Sequence, residues 1–348
     1  MSLLIADIAR KARVSPATVS RVINQPHLVA PGRLQQVRDV MSDLGYVPTP
    51  IHRRRGPKSR LPVAKRIALW YVGVQRNSNF SWFQEQLLQT CHSNDRLRVE
   101  LSVVFSESPD ECPRALAAGD VDGVIIQGME PSARALAQLG DLPSVWFMTR
   151  RTSTYPGDYV EPDNDLNGRM AAEHLRGRNY KAVAVIAADV GYSAVAWRVR
   201  AFADHARELG LTVHSILGKP KPLSYLEVTP LHEESDWLVR QFMEFTREPI
   251  GVYIPVDHFC GSLFRSMRAA GLRAEVDFEA ILGNYNPSIY HNLDHLPAAL
   301  DINLPTLVRK AVDHLIWRIE NPRIDGRVGI TVAPSLISAV TISKQMSA

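Results

Sequence analysis

Between Val14 and Asn24 the chain reads VSPATVSRVIN. Ser15, Thr18 and Ser20 bring hydroxyls, Arg21 a guanidinium and Asn24 an amide, while Pro16 and Ala17 add little bulk. That set suits contact with a duplex polyanion. Small side chains let a backbone come close to base edges, and an arginine reaches a guanine edge or a phosphate oxygen. Val19, Val22 and Ile23 recur at helical spacing, so the opposite face of the same segment has an apolar support to rest on.

Charge points the same way. Residues 1–66 hold 13 Lys and Arg against Asp7, Asp39 and Asp43, a balance of +10; the rest of a chain whose total is +4 therefore carries −6. A basic head on an acidic body implies a polyanion partner for the head alone. A solubilising tail is the plainer alternative, but a tail does not need the apolar periodicity that runs through this segment.

The elements that would position those side chains are short helices. In LLIADIARKA, residues 3–12, Leu4, Ile8 and Ala12 form one stripe, with Asp7 near the helix start, where a negative charge suits the dipole. Ser15 followed by Pro16 reads as an N-cap with proline at the first helical position. A third helix is expected from Pro31 to Leu44, stopped at Gly45. Three helices with a tight turn between the first two make a helix-turn-helix whose second helix would lie in a major groove.

At this point a resemblance is specific enough to name. IADIARKARVSPATVSRVIN followed by VRDVMSDLGYVP resembles the DNA-binding head of the lactose/galactose repressor (LacI/GalR) family of bacterial transcription regulators. One departure is Arg13, where many members have glycine or asparagine; a positive φ there would be strained. The family places a short hinge helix next, with a leucine that wedges into the minor groove. Here that segment is Thr49 to Gly56, and the leucine position holds Arg55. Arg53, Arg54 and Arg55 suit a narrow, electronegative minor groove, either from a short helix or as an extended strip. A linker touching only phosphates is the bland alternative.

From Arg66 on, β-branched runs (RIALWYV, RVELSVVF, GVIIQG, PSVWFM, AVAVIAA, TVHSIL, IGVYIP, EAILGNY, with GITVAPSLI last) are separated by amphipathic stretches at 82–94, 132–139, 166–176, 194–209, 236–247 and 261–270. This alternation implies parallel sheets built from βαβ units, with too many strands for one sheet. The expected architecture is an all-α helix-turn-helix head plus an α/β periplasmic-binding-protein-like sensor of two doubly wound parallel-sheet lobes with an interlobe cleft at the strand carboxyl ends. The expected domains are 1–48 (DNA-binding), 49–65 (basic hinge) and 66–344 (sensor). The first lobe is expected at 66–160 and 290–319 and the second at 161–289 and 320–344, with crossings near Tyr159–Pro162, Pro287–Tyr290 and Ile319–Pro322.

The resemblance also implies ligand contacts. Trp82 matches a stacking aromatic, Arg198 the arginine of a helix start in which Ala201 replaces glycine, and Asp257 an aspartate preceded here by Val256. Asp163 and Asn164 match an Asp-Asn pair at the cleft, and Asn284 stands in GNYN. Tyr225 is a further aromatic candidate. A guanidinium, carboxylates and an aromatic face together suit a polyol such as a sugar. Trp82 as core, and Asp163 with Asn164 as helix caps, remain open alternatives.

Cys91, Cys112 and Cys260 are few and scattered, which fits a reducing cytoplasm rather than a disulfide scaffold. No apolar run suits export or a bilayer. Phosphate-binding glycine motifs, nucleophile elbows and metal-ligand spacings are missing, so neither an enzyme nor a cofactor is expected. The expected partners are double-stranded operator DNA, a small-molecule effector and a second copy of the chain, as a homodimer without an added leucine heptad. An architectural protein of AT-rich DNA and a sugar-binding module without a regulatory role are the competing readings.

Overall fold

A computed structural model describes residues 5–24, 26, 29–44, 46, 64–73, 81–92, 99–148, 154–191, 193–218, 231–322 and 325–346. The hinge candidates Arg53, Arg54 and Arg55 and the aromatic Tyr225 lie outside them, as do the side chains of Asn24 and Trp82. The chain divides into two units, Met1–Leu61 and Pro62–Ala348.

The head has three helices: α1 (Ile5–Lys11), α2 (Pro16–Asn24) and α3 (Pro31–Asp43). The expected stripes meet at its centre, where Ile8, Ala9, Ala12, Val19, Val22, Val37 and Met41 are buried. Between α1 and α2, Arg13 takes φ 49°, the left-handed turn that asparagine or glycine would fill with less strain. The Gln36 amide donates to Ala12 O at 3.1 Å and ties α3 to that turn.

The body begins with β1 (Lys65–Val72), α4 (Ser81–His92), β2 (Val99–Ser106), α5 (Arg114–Ala117), β3 (Gly123–Gly128), α6 (Ala133–Leu139), β4 (Ser144–Phe147) and β5 (Asp158–Pro162). It continues through α7 (Asn164–Gly177), β6 (Ala182–Ala187), α8 (Ser193–Glu208), β7 (Thr212–Leu217), α9 (Leu231–Met243), β8 (Ile250–Ile254), α10 (Cys260–Ala269), β9 (Phe278–Leu282), α11 (Pro287–Tyr290) and β10 (Ala298–Asp301). It ends with α12 (Leu304–Glu320), β11 (Gly329–Val332), β12 (Ser335–Ile337) and α13 (Ala339–Met346).

Two six-stranded sheets result, ordered β11-β5-β4-β3-β1-β2 and β12-β10-β9-β8-β6-β7. All pairings are parallel except β10 with β12. β3 and β8 are buried along their whole length, because helices cover both faces of a parallel sheet. Edge strand β2 alternates between covered and open positions instead. Each sheet carries an apolar cluster on each face, Leu69 and Tyr71 on one side of β1 and Trp70 and Val72 on the other. Gly168 sits where α7 meets α8; a Cβ there would lie 2.5 Å from Arg198 O.

The sheet topology corrects the expected lobe boundaries. β10 belongs to the second sheet, so Pro287–Tyr290 is not a crossing; the chain passes to the first lobe at 302–303. Helix α12 packs under β3, β4 and β5, and β11 joins the same sheet, so Ile319–Pro322 is not a crossing either. The last passage is at Ala333–Pro334, inside the single run GITVAPSLI, which splits into β11 of one sheet and β12 of the other. Proline lacks an N–H, so it breaks the ladder there. The first passage follows Pro162, the end of β5.

Candidate functional sites in the head and the cleft

In the head, Ser15 Oγ accepts from the Thr18 backbone N–H at 3.1 Å and shares a 2.9 Å hydrogen bond with Thr18 Oγ1. This is the N-cap that the Ser-Pro pair implies, and it fixes where α2 begins. Val19 and Val22 turn inward; Ser15, Pro16, Ala17 and Arg21 are exposed, with Thr18 and Ser20 half-buried. The outer face of α2 therefore offers hydroxyls and small groups at its N-terminal end, whose dipole favours anions, and one guanidinium in its last turn.

In the body a cavity of about 1000 Å³ runs from the carboxyl ends of β3, β4, β8 and β9 along α10 to Arg273 and to Phe278 at the amino end of β9. Phe83, Gln127 and Met148 line it from the first lobe, and Asp257, Asn284 and Asn286 from the second. Gln127 is the penultimate residue of β3, Met148 follows β4, and Asp257 and Asn284 follow β8 and β9. Phe83 stacks on Phe147 at 4.5 Å between ring centroids, which anchors the start of α4 at the rim.

Arg198 organises the second lobe's side from behind. Its Nε donates to Asn164 Oδ1 at 2.8 Å; its Nη1 donates to Pro255 O at 2.7 Å, Asn284 Oδ1 at 2.8 Å and Gly283 O at 3.2 Å. It is only 3% exposed and does not line the cavity. Burial pulls its pKa below the usual guanidinium value, opposed by the fields of Tyr253, Asp257 and Glu161. Gly283 lets the two loops come this close, since a Cβ would strike Pro255 O at 2.2 Å. Asn167 donates to Gly283 O at 2.9 Å and accepts from the Tyr253 hydroxyl at 2.6 Å, which extends the network into the core.

Through Asn284 the network reaches Asp257, whose Oδ1 accepts from Asn284 Nδ2 at 3.5 Å. Asp257 Oδ2 is buried and has no hydrogen-bond partner among the described residues. Burial raises the Asp257 pKa, with the Asn284 bond and the Arg198 charge acting against it.

The seven residues named for an effector thus separate. Asp257 and Asn284 line the cavity, while Arg198 positions Asn284 rather than lining it. Asp163 is the N-cap of α7, its Oδ1 accepting from Leu166 N at 2.9 Å, and it is absent from the cavity wall. Asn164 is held by Arg198. Trp82 is the second residue of α4, its side chain outside the description, and Tyr225 lies outside the described residues. Sequence reasoning missed Gln127, Met148 and Phe83. The signal for Gln127 was present: it is the lone polar side chain in the apolar strand GVIIQG.

A helix-turn-helix head followed by two doubly wound lobes around a cleft is the architecture of a ligand-sensing regulator. Residues 4–49 match the family model "Bacterial regulatory proteins, lacI family". Over 97% of this chain and 96% of its relative, it is 24% identical to the HTH-type transcriptional repressor PurR of Edwardsiella ictaluri. Its fold is similar to that of the transcriptional regulator CelR in complex with cellobiose, with TM-score 0.59 and 20% identity over 97% of this chain and 98% of that one. It is equally similar to the lac repressor dimer bound to operator and the anti-inducer ONPF, with TM-score 0.58 and 18% identity over 98% and 99% of the two chains.

Proposed function

We propose that this protein is a sequence-specific DNA-binding transcription regulator, acting as a repressor, whose operator affinity is set by a small molecule of the carbohydrate class bound between the two lobes. The carrying observation is a cavity lined by residues of both lobes, in a chain whose N-terminal head exposes Arg21 on α2. The names of its relatives support the same reading. One solved neighbour holds cellobiose and another is a dimer on operator DNA.

In this reading residues 1–48 bind DNA, 49–65 form the hinge and 66–344 sense the ligand. Two copies of α2 enter successive major grooves of a pseudo-palindrome, since a two-fold dimer reads a two-fold site. Pro16, Ala17 and Thr18 approach base edges, Ser15, Ser20 and Asn24 add polar contacts, and Arg53, Arg54 and Arg55 enter the minor groove. Ligand and DNA favour different lobe arrangements, so binding one shifts the population competent for the other.

The test starts from DNA sites selected from a random library by the full-length protein, followed by a thermal-shift screen of sugars. Release of the selected DNA by a binding sugar is the expected result. Removing residues 1–60 is expected to abolish DNA binding and leave the sugar response intact. Binding to any AT-rich DNA, indifferent to every sugar, would instead indicate an architectural protein.

A further inference from the structure

The turn between α1 and α2 holds a residue that its backbone does not suit. Arg13 donates its backbone N–H to Arg10 O at 3.3 Å, and Val14 donates to Ala9 O at 3.0 Å. These bonds make a Schellman cap, which requires a left-handed residue at the turn, and Arg13 fills that place at φ 49°. Glycine takes this conformation freely and asparagine with little strain, whereas the Cβ of an arginine crowds the following carbonyl oxygen. Local folding gives no reason for an arginine here.

Nothing inside the protein offsets the strain either. Arg13 is exposed, and its side chain has no hydrogen bond or ion pair among the described residues. Its charge is not needed to complement the dipole of α1, because Arg10 and Lys11 already lie in that helix's last turn. Arg10 differs from it in being paired with Asp7 at 2.9 Å. The turn is also fixed in place: Val14 packs against the apolar cluster of the head, and Ser15 caps α2 two residues on. An unpaired guanidinium is therefore held beside the end of α2 that exposes Ser15, Pro16 and Ala17. Backbone strain that persists at one such place points to a functional position.

We infer that Arg13 is a further DNA-binding residue: it anchors the head on a phosphate of the duplex backbone, beside the groove that α2 enters, and the strained turn holds it there. This rests on the regulator reading above. A phosphate contact carries charge but no base identity, so Arg13 sets affinity and not sequence preference.

The experiment compares the full-length wild type with Arg13→Gln, which keeps the strained turn and loses the charge, and with Arg13→Gly, which loses both. Binding to the selected DNA and to a scrambled duplex is followed by fluorescence anisotropy over a range of salt. Amide hydrogen exchange in the head, measured without DNA, reports how readily it opens. Both variants are expected to bind about 5- to 50-fold more weakly, by the same factor on either duplex. The slope of log affinity against log salt is expected to become shallower by about 2, one phosphate for each head of a dimer. Head exchange should stay within about twofold of wild type in Arg13→Gln and slow by about 2- to 10-fold in Arg13→Gly, where relief of left-handed strain exceeds the entropic cost of glycine. Weaker binding from a more stable head is an outcome that a merely structural role for Arg13 does not produce.

A wild-type salt slope in Arg13→Gln overturns the inference. So does a loss confined to the selected duplex, which indicates base reading, or markedly faster exchange in Arg13→Gln with unchanged DNA binding, which indicates a charge that serves the helix dipole. If the wild type enriches no DNA from the random library, the regulator reading fails and the inference with it; if DNA is enriched and the slope does not move, the inference alone fails.

Discussion

Replacing Arg198 by methionine tests whether the second lobe's side of the cleft is built on one buried cation. Three acceptors lose their donor: Asn164 Oδ1, Pro255 O and Asn284 Oδ1, now bonded at 2.7–2.8 Å. Gly283 O keeps the Asn167 amide. An orphaned buried acceptor costs about 1–3 kcal/mol, so three cost about 3–9 kcal/mol. Removing the desolvated guanidinium returns part of this, and measured losses on breaking a buried charged partnership are about 3–5 kcal/mol. The expected net loss is therefore about 3–5 kcal/mol. In a body of this size that lowers Tm by roughly 6–20 °C, at about 2–4 °C per kcal/mol. Chemical denaturation followed by circular dichroism measures it directly. Arg198→Lys keeps a charge but not the planar fork, and should lie between methionine and wild type. A loss below about 1 kcal/mol for Arg198→Met would refute the reasoning, because the network would then be incidental to the fold.

Other perturbations reach the remaining parts. Arg21→Ala should weaken binding to the selected DNA about 10- to 100-fold, as loss of one good base or phosphate contact does, measured by fluorescence anisotropy. Asp257 is an acid whose folded pKa is raised, so it holds its proton more tightly folded than unfolded. Its contribution favours folding below its folded pKa and opposes folding above it. The ligand-free protein should therefore gain stability as pH falls through the folded pKa toward the ordinary carboxylate value, and Asp257→Asn should be more stable above the folded pKa and lose this dependence. At Asp158, burial acts to raise the pKa, but bonds from Arg318, the Val328 N–H and His314 outweigh it and hold the carboxyl below its usual value. Stability from this cluster is present above the ordinary carboxylate pKa and lost as pH falls through the folded value. Arg318→Met should cost about 3 kcal/mol at neutral pH and move the acid-unfolding midpoint upward.

Much of the fold was legible because burial on both faces forces long β-branched runs, as in β1, β3, β6 and β8. What was not legible is where the chain changes lobes. β5 (DYVEP) and β10 (AALD) carry little β-branched signal and owe their pairing to neighbours. Helix α12 went unrecognised as well; it opens with a proline at its second residue, and Asn303, in the left-handed region at φ 56°, caps it without a side-chain bond. Those errors placed two crossings one element too early. The head was read more completely, since capping chemistry at Ser15 and Pro16 and a three-residue turn are local and need no distant partner. In the cleft, Asp257 and Asn284 follow strand ends, and it was the family resemblance that pointed to them. Arg198 reaches Asn284 from another helix, a relation that no spacing reveals.

Asn303 also joins two of the three strands that link the lobes. Its Nδ2 donates to Ala333 O at 2.8 Å, and Asp163 N donates to Val332 O at 2.9 Å. The third connector therefore lies stitched to both others, like the centre leaf of a bound folio. Three loose cords would allow sliding and twisting in any direction; three laced side by side leave bending as the easy motion, and the halves then open and shut about a single spine.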